Sequence, residues 1–153
     1  SGEVAEQLAK LLRSEQHLLA CSEQALEIAR MQAELDFIGD PELQEQVTHY
    51  RSEVVHLMEL ANPEQEGFSF TDCEAQQEQV QDAYENVKKA LLLAGAELRM
   101  PILAVIAIQE QNSRIRRMAR QMVKAMRYLS GPYTVTEEEI QPPGENDAEP
   151  ASV

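Results

Sequence analysis

The chain has 153 residues, 43% of them hydrophobic, only seven aromatics and a formal net charge of −14. That length suits one domain with a single core, and the scarcity of aromatic rings points to the aliphatic packing of helix bundles. The overall charge repels nucleic acid, and no apolar run approaches the ~20 residues of a membrane span.

Charge is unevenly distributed. Residues 1–113 carry 7 Lys/Arg against 21 Asp/Glu. Residues 114–127 then hold Arg114, Arg116, Arg117, Arg120, Lys124 and Arg127 without an acid, and the remainder has six acids and no base. No basic segment followed by an apolar one opens the sequence, so the expectation is a cytoplasmic chain. Cys21 and Cys73 do not make a disulfide framework; both read as unpaired structural thiols of a reducing compartment.

The first helix is expected over about Val4 to Phe37. Leu8, Leu12, Leu19, Leu26 and Ala33 recur at helical steps, and Leu11, Leu18, Ala25 and Leu35 widen the stripe. A stripe wider than a two-position seam predicts packing against two or more neighbours. Gly39 ends this helix, and Asp40-Pro41 opens the second as N-cap and first helical residue. Leu43, Val47, Tyr50, Val54, Leu57 and Ala61 keep an unbroken apolar spacing until Asn62-Pro63 stops it. The connection to Phe70 is polar except for Phe68 and Phe70, which are expected to fold over the bundle end.

The third helix is expected to start at Thr71, with Thr71 and Glu74 forming a capping box. Val80, Tyr84, Val87, Leu91, Ala94 and Leu98 mark its seam. Between Gly95 and Pro101 the chain either turns or continues with a kink; a turn is expected, since it lets four antiparallel helices close. The fourth helix covers about Pro101 to Leu129. Ile102–Ile108 alone would suit a buried strand, but the sequence offers no second strand to pair with it. Val105, Ile108, Asn112, Ile115, Ala119, Met122, Met126 and Leu129 continue the seam, with Asn112 a buried amide or a rim residue. Ser130-Gly131-Pro132 stops the helix. The acids, prolines and glycine beyond it predict a disordered acidic tail over 131–153. The expected architecture is all-α: an antiparallel up-down-up-down four-helix bundle over residues 3–130.

Among candidate sites the basic helix stands first. Arg116, Arg120, Lys124 and Arg127 fall on a side roughly opposite the Ile115/Met122/Met126 seam. They read either as a solvated face balancing the acidic helices, or as a docking stripe for an acidic or phosphorylated peptide or an anionic lipid surface. The acidic tail, tethered nearby, is a competitor for the same stripe. Thr134 and Thr136 precede Glu137–Glu139 in a pattern acid-directed kinases use.

His49, Glu53 and His56 share one face of the second helix, and Glu53-Val54-Val55-His56 has the E-x-x-H form of di-iron bundles. That chemistry needs a second such motif, which the sequence lacks, so neither metal nor cofactor is expected. No nucleophile elbow, glycine-rich phosphate loop or cysteine–histidine pairing is present, and an enzyme is not expected.

The string Ile115-Arg116-Arg117-Met118-Ala119-Arg120-Gln121-Met122 resembles the I-x-x-L/M-A-K/R-x-M pattern of vinculin and α-catenin helical bundles, over roughly 20 residues. The resemblance implies a cytoskeletal or junctional scaffold that docks helices in surface grooves and has no enzymatic activity. The expected function is therefore a protein-binding adaptor that docks a partner helix or acidic peptide. The alternative is a structural self-assembly module, a homodimer in which the first helix mates with a second chain.

Overall fold

The computed structural model describes residues 2–32 and 39–130; within the first helix, side chains are described through Cys21 and at Glu23. The expected tail over 131–153, and the expected continuation of the first helix to Phe37, lie outside these residues. Four α-helices follow in order: α1 (Gly2–Gln32), α2 (Pro41–Leu60), α3 (Phe70–Ala96) and α4 (Ile102–Leu129). No strand occurs among the described residues, and Ile102–Ile108 is helical. The all-α bundle expected from the sequence is the observed architecture.

α2 begins as its sequence dictates. The Asp40 carboxylate accepts the Glu42 and Leu43 N–H groups at 3.1 and 3.2 Å, with Pro41 behind it. The same carboxylate pairs with the Arg99 guanidinium, tying the start of α2 to the far end of α3. α3 opens at Phe70, and its cap lies two residues before the expected capping box. Ser69, not Thr71, is the cap, and its hydroxyl accepts the Asp72 N–H at 3.4 Å. Ser69 and Asp72 have the same three-residue spacing, and Phe68 and Phe70 beside them pack half-buried on the core, which fixes the frame.

Side-chain registers give the topology. Leu60 lies by Cys73 and Glu53 by Gln76, so α2 and α3 run antiparallel. Gln109 meets Tyr84, and Val105 meets Gly95, so α3 and α4 do too. The expected seams of α2 and α3 are buried from Leu43 to Leu57 and from Val80 to Ala94. At roughly 1.5–3 kcal/mol per buried aliphatic side chain, this three-helix core is the main source of stability. α4 is the central element. Val105, Ile108, Ile115, Ala119 and Met126 join the core, while Gln121 and Tyr128 turn to α1. Asn112 is buried, as its seam position allowed.

Two expectations are corrected. Leu98 does not join the α3 seam; it is 88% exposed. The described stripe leucines of α1 do not face a core: Leu8, Leu11, Leu12 and Leu19 are exposed, and among the described residues α1 touches α4 and neither α2 nor α3. The physical reason is the side of α1 that α4 accepts. Ser14 and His17 are buried there, with the His17 ring stacked on Tyr128 at 5.5 Å between centroids and its Nδ1 2.5 Å from Gln121 Oε1. A helix with one neighbour can cover one side only, and here the polar side is covered.

Candidate docking site at the α3–α4 corner

The corner between α3 and α4 is built by a helix stop of unusual composition. The Arg99 N–H bonds to the Ala94 carbonyl at 2.9 Å and the Leu98 N–H to the Gly95 carbonyl at 3.1 Å. This is the Schellman pattern, which places the residue past the cap in the left-handed region, normally a glycine. Here it is Leu98, at φ +57°. The expected turn is present, but Gly95 is not its left-handed residue. Gly95 is helical and sits where α4 comes closest: a Cβ there would lie 3.3 Å from a Val105 methyl.

Beyond this contact lies an apolar groove of about 480 Å³, lined by Leu91, Leu92, Ile102, Val105 and Ile106, with Gln109, Glu110, Ser113 and Arg117 further along α4. Leu92, Leu93, Leu98, Ile102, Leu103 and Ile106 all stand exposed around the corner. Single exposed aliphatics are ordinary, whereas a contiguous group marks an interaction surface. Sequence reading singled out none of these residues as functional. The signal was there: Pro101–Ile108 is apolar on every side, so a helix made of it must leave part of that surface in water.

The basic stripe continues the groove toward the C-terminal half of α4. Arg116, Arg120, Lys124 and Arg127 are half-buried rather than a fully solvated row, and none of the four is without a partner. The Arg116 guanidinium lies over the Tyr84 ring, 4.6 Å from its centroid, in cation–π geometry. Tyr84 accepts a hydrogen bond from the Gln109 side chain at 2.8 Å, which links stripe and groove wall. Behind them Tyr84 tilts against Tyr50 at 6.0 Å, and the Tyr50 hydroxyl donates to the Asn112 carbonyl at 2.9 Å. Burial, with Tyr84 adding to it, pushes the Tyr50 phenol well above the ordinary tyrosine range, against the opposing pull of Arg116 and Arg51. α4 therefore presents one side that is aliphatic near its start and cationic near its end.

The second-helix trio does not assemble into a site. His49 Nε2 is 3.9 Å from Glu53, but the other Glu53 oxygen accepts from Gln76 at 2.6 Å. Among the described residues no three His, Cys, Asp or Glu side chains group closely enough to hold a metal ion. Cys21 and Cys73 are free thiols, and burial raises the pKa of both, which keeps them protonated and poorly nucleophilic. No helix of the described residues is long and apolar enough to cross a membrane.

The fold and this corner together define an all-helical bundle with an uncovered apolar groove. Comparison with known proteins returned no match to any protein family, any curated protein or any solved structure. The residues that carry the vinculin and α-catenin resemblance have a plain structural position. Ile115, Met118 and Ala119 are buried, so the pattern is one of core packing.

Proposed function

We propose that this chain is a non-enzymatic adaptor that docks an amphipathic partner helix in the α3–α4 groove. The observation that supports this reading is the juxtaposition along α4: an exposed aliphatic groove around Ile102 and Ile106 that opens at Arg117 onto the basic half of the helix. A partner helix with aliphatic residues at i, i+3 or i+4 and i+7, followed by acidic residues, matches both ends of that surface. Apolar contact provides the affinity, and complementary charge fixes direction and speeds encounter. Phosphorylation of such a helix at its acidic end would strengthen the match, because arginine forks suit phosphate. A place in adhesion or cytoskeletal assemblies rests on the vinculin and α-catenin resemblance of Ile115–Met122.

Affinity capture with three baits tests this reading: the wild-type chain, Ile102→Glu/Ile106→Glu, and Arg117→Glu/Lys124→Glu. The expected result is one partner retained by the wild type, lost with the groove variant and weakened with the charge variant, while far-UV helicity persists in both. Partners captured equally by folded wild type and folded groove variant would remove the groove from consideration.

A further inference from the structure

We propose that α1 is a self-association helix, whose leucine stripe packs against the same stripe of a second copy of this chain. Val4, Leu8, Leu11, Leu12, Leu18 and Leu19 are each 42–65% exposed. At ~100° per residue these six fall within a sector of about 120°, while buried His17 lies on the far side and buried Ser14 on the flank beside Leu18. The helix is anchored by its polar side, and its most apolar side faces water. No other described helix is in reach to cover it.

Three features select a second copy as the occupant. The first is area. Six aliphatic side chains about half exposed present on the order of 500 Å², and two such faces bury the ~1,000 Å² that a specific interface requires. The second is charge. The chain carries −14, yet α1 carries five acids and three bases, −2, so two copies meeting through α1 meet where their mutual repulsion is weakest. The third is the border of the stripe. Ala5, Gln7, Ala9 and Gln16 flank it between Val4 and Leu19, all exposed and all uncharged; among the described residues Glu15 is the one charge within it, and exposed Glu23 stands one turn past its end. A face with neutral borders needs a partner face with neutral borders, and α1 itself is such a face.

Glu15 also sets the direction of pairing. A parallel, in-register pair brings each Glu15 against its own copy, whereas an antiparallel pair offsets the two carboxylates. The interface is therefore antiparallel and isologous. A membrane surface is the poorer occupant, because interfacial helices carry Lys and Arg on their polar side, and here that side is buried on α4 in a helix of net negative charge.

The test is the mass of the 17.2 kDa chain in solution as a function of concentration, by sedimentation velocity or light scattering. The expected result is a shift to twice the monomer mass across the micromolar range. Leu8→Glu/Leu12→Glu/Leu19→Glu restores the monomer, weakening association by more than about tenfold, because carboxylates would have to be buried without partners. Its far-UV helicity stays near wild type, since Leu8, Leu12 and Leu19 are all exposed and stand outside the core cluster. Glu15→Leu tightens association, a gain that a merely destabilised variant cannot produce. Ile102→Glu/Ile106→Glu leaves the dimer intact, which separates this proposal from the groove reading. A wild-type chain that stays monomeric at high micromolar concentration overturns the proposal. So does a dimer that survives the triple change, or one that dissociates with the groove variant.

Discussion

Tyr50 on α2 donates its hydroxyl to the main-chain carbonyl of Asn112 on α4, so a phenol buried at the bundle centre hydrogen-bonds across to a neighbouring helix. That phenol must stay protonated in the folded chain. Its folded pKa is raised above its unfolded value near 10, and the Cys73 and Cys21 thiols are raised above theirs near 9. The stabilising effect is therefore complete below pH 9 and is lost progressively as pH climbs toward the folded values, because only the unfolded chain releases these protons. Thermal unfolding followed from pH 8 to pH 11 is expected to show a falling midpoint in the upper part of that range. Tyr50→Phe flattens the fall and lowers stability at pH 8 by about 1 kcal/mol, the net value of one hydrogen bond. A slope above pH 10 that is identical in Tyr50→Phe would show that this phenol is not the group responsible.

Asn112 itself is a cost to the fold. Its side chain is buried, and neither amide atom has a hydrogen-bond partner among the described residues. Asn112→Leu is expected to raise stability by about 1–3 kcal/mol in chemical denaturation, since a desolvated, unpaired amide is replaced by packing. An unchanged or lowered midpoint would mean that the amide is satisfied in solution.

Leu98 holds a left-handed conformation with 88% of its surface in water. Leu98→Gly relieves the Cβ clash of that conformation, about 1 kcal/mol, and forfeits almost no packing. The thermal midpoint should rise. If the corner is a docking surface, the same change weakens partner binding while the fold gains stability, an opposition that a purely structural role does not generate.

Gly95→Ala opposes two terms of similar size. Alanine gains ~1 kcal/mol of helix propensity, and its methyl arrives 3.3 Å from Val105 in a packed contact. A net loss of up to about 1 kcal/mol is expected in the wild-type background, and a net gain in Val105→Ala, where the space is open. Denaturation of the two single variants and the double variant measures the coupling. Additive effects would mean that the helices separate without strain.

Two of the four helices, α2 and α4, were legible in the sequence almost to the residue. Asp40-Pro41 and the seam of Leu43, Val47, Tyr50, Val54 and Leu57 specify α2, because a local cap and a strict period leave no competing frame. α3 was legible in its seam and less so at its ends. Ser69 and Thr71 are both competent caps, and Phe68 and Phe70 decide between them by packing, a tertiary effect. α1 was legible as a helix but not in its orientation. Periodicity reports which side of a helix is apolar, and only the neighbour determines which side is covered. His17 stacking on Tyr128 decides that, across a separation no local pattern carries. The groove was hidden for a related reason: the all-round apolar start of α4 reads as core until the geometry at Gly95 and Val105 shows where α3 stops covering it.

The docking of α1 through His17 and Gln121 joins residues 104 apart in the chain, whereas α2–α3 and α3–α4 are hairpins of adjacent helices. Loop closure favours the hairpins, so they form early and α1 seats last. During synthesis the order is less forgiving, since α1 leaves the ribosome before the other three helices and its anchor on α4 is made last. Throughout that interval a leucine-rich helix waits without its seat, and nascent chains on one messenger are close neighbours. A helix that pairs with its own copy would then let two growing chains meet before either has finished folding.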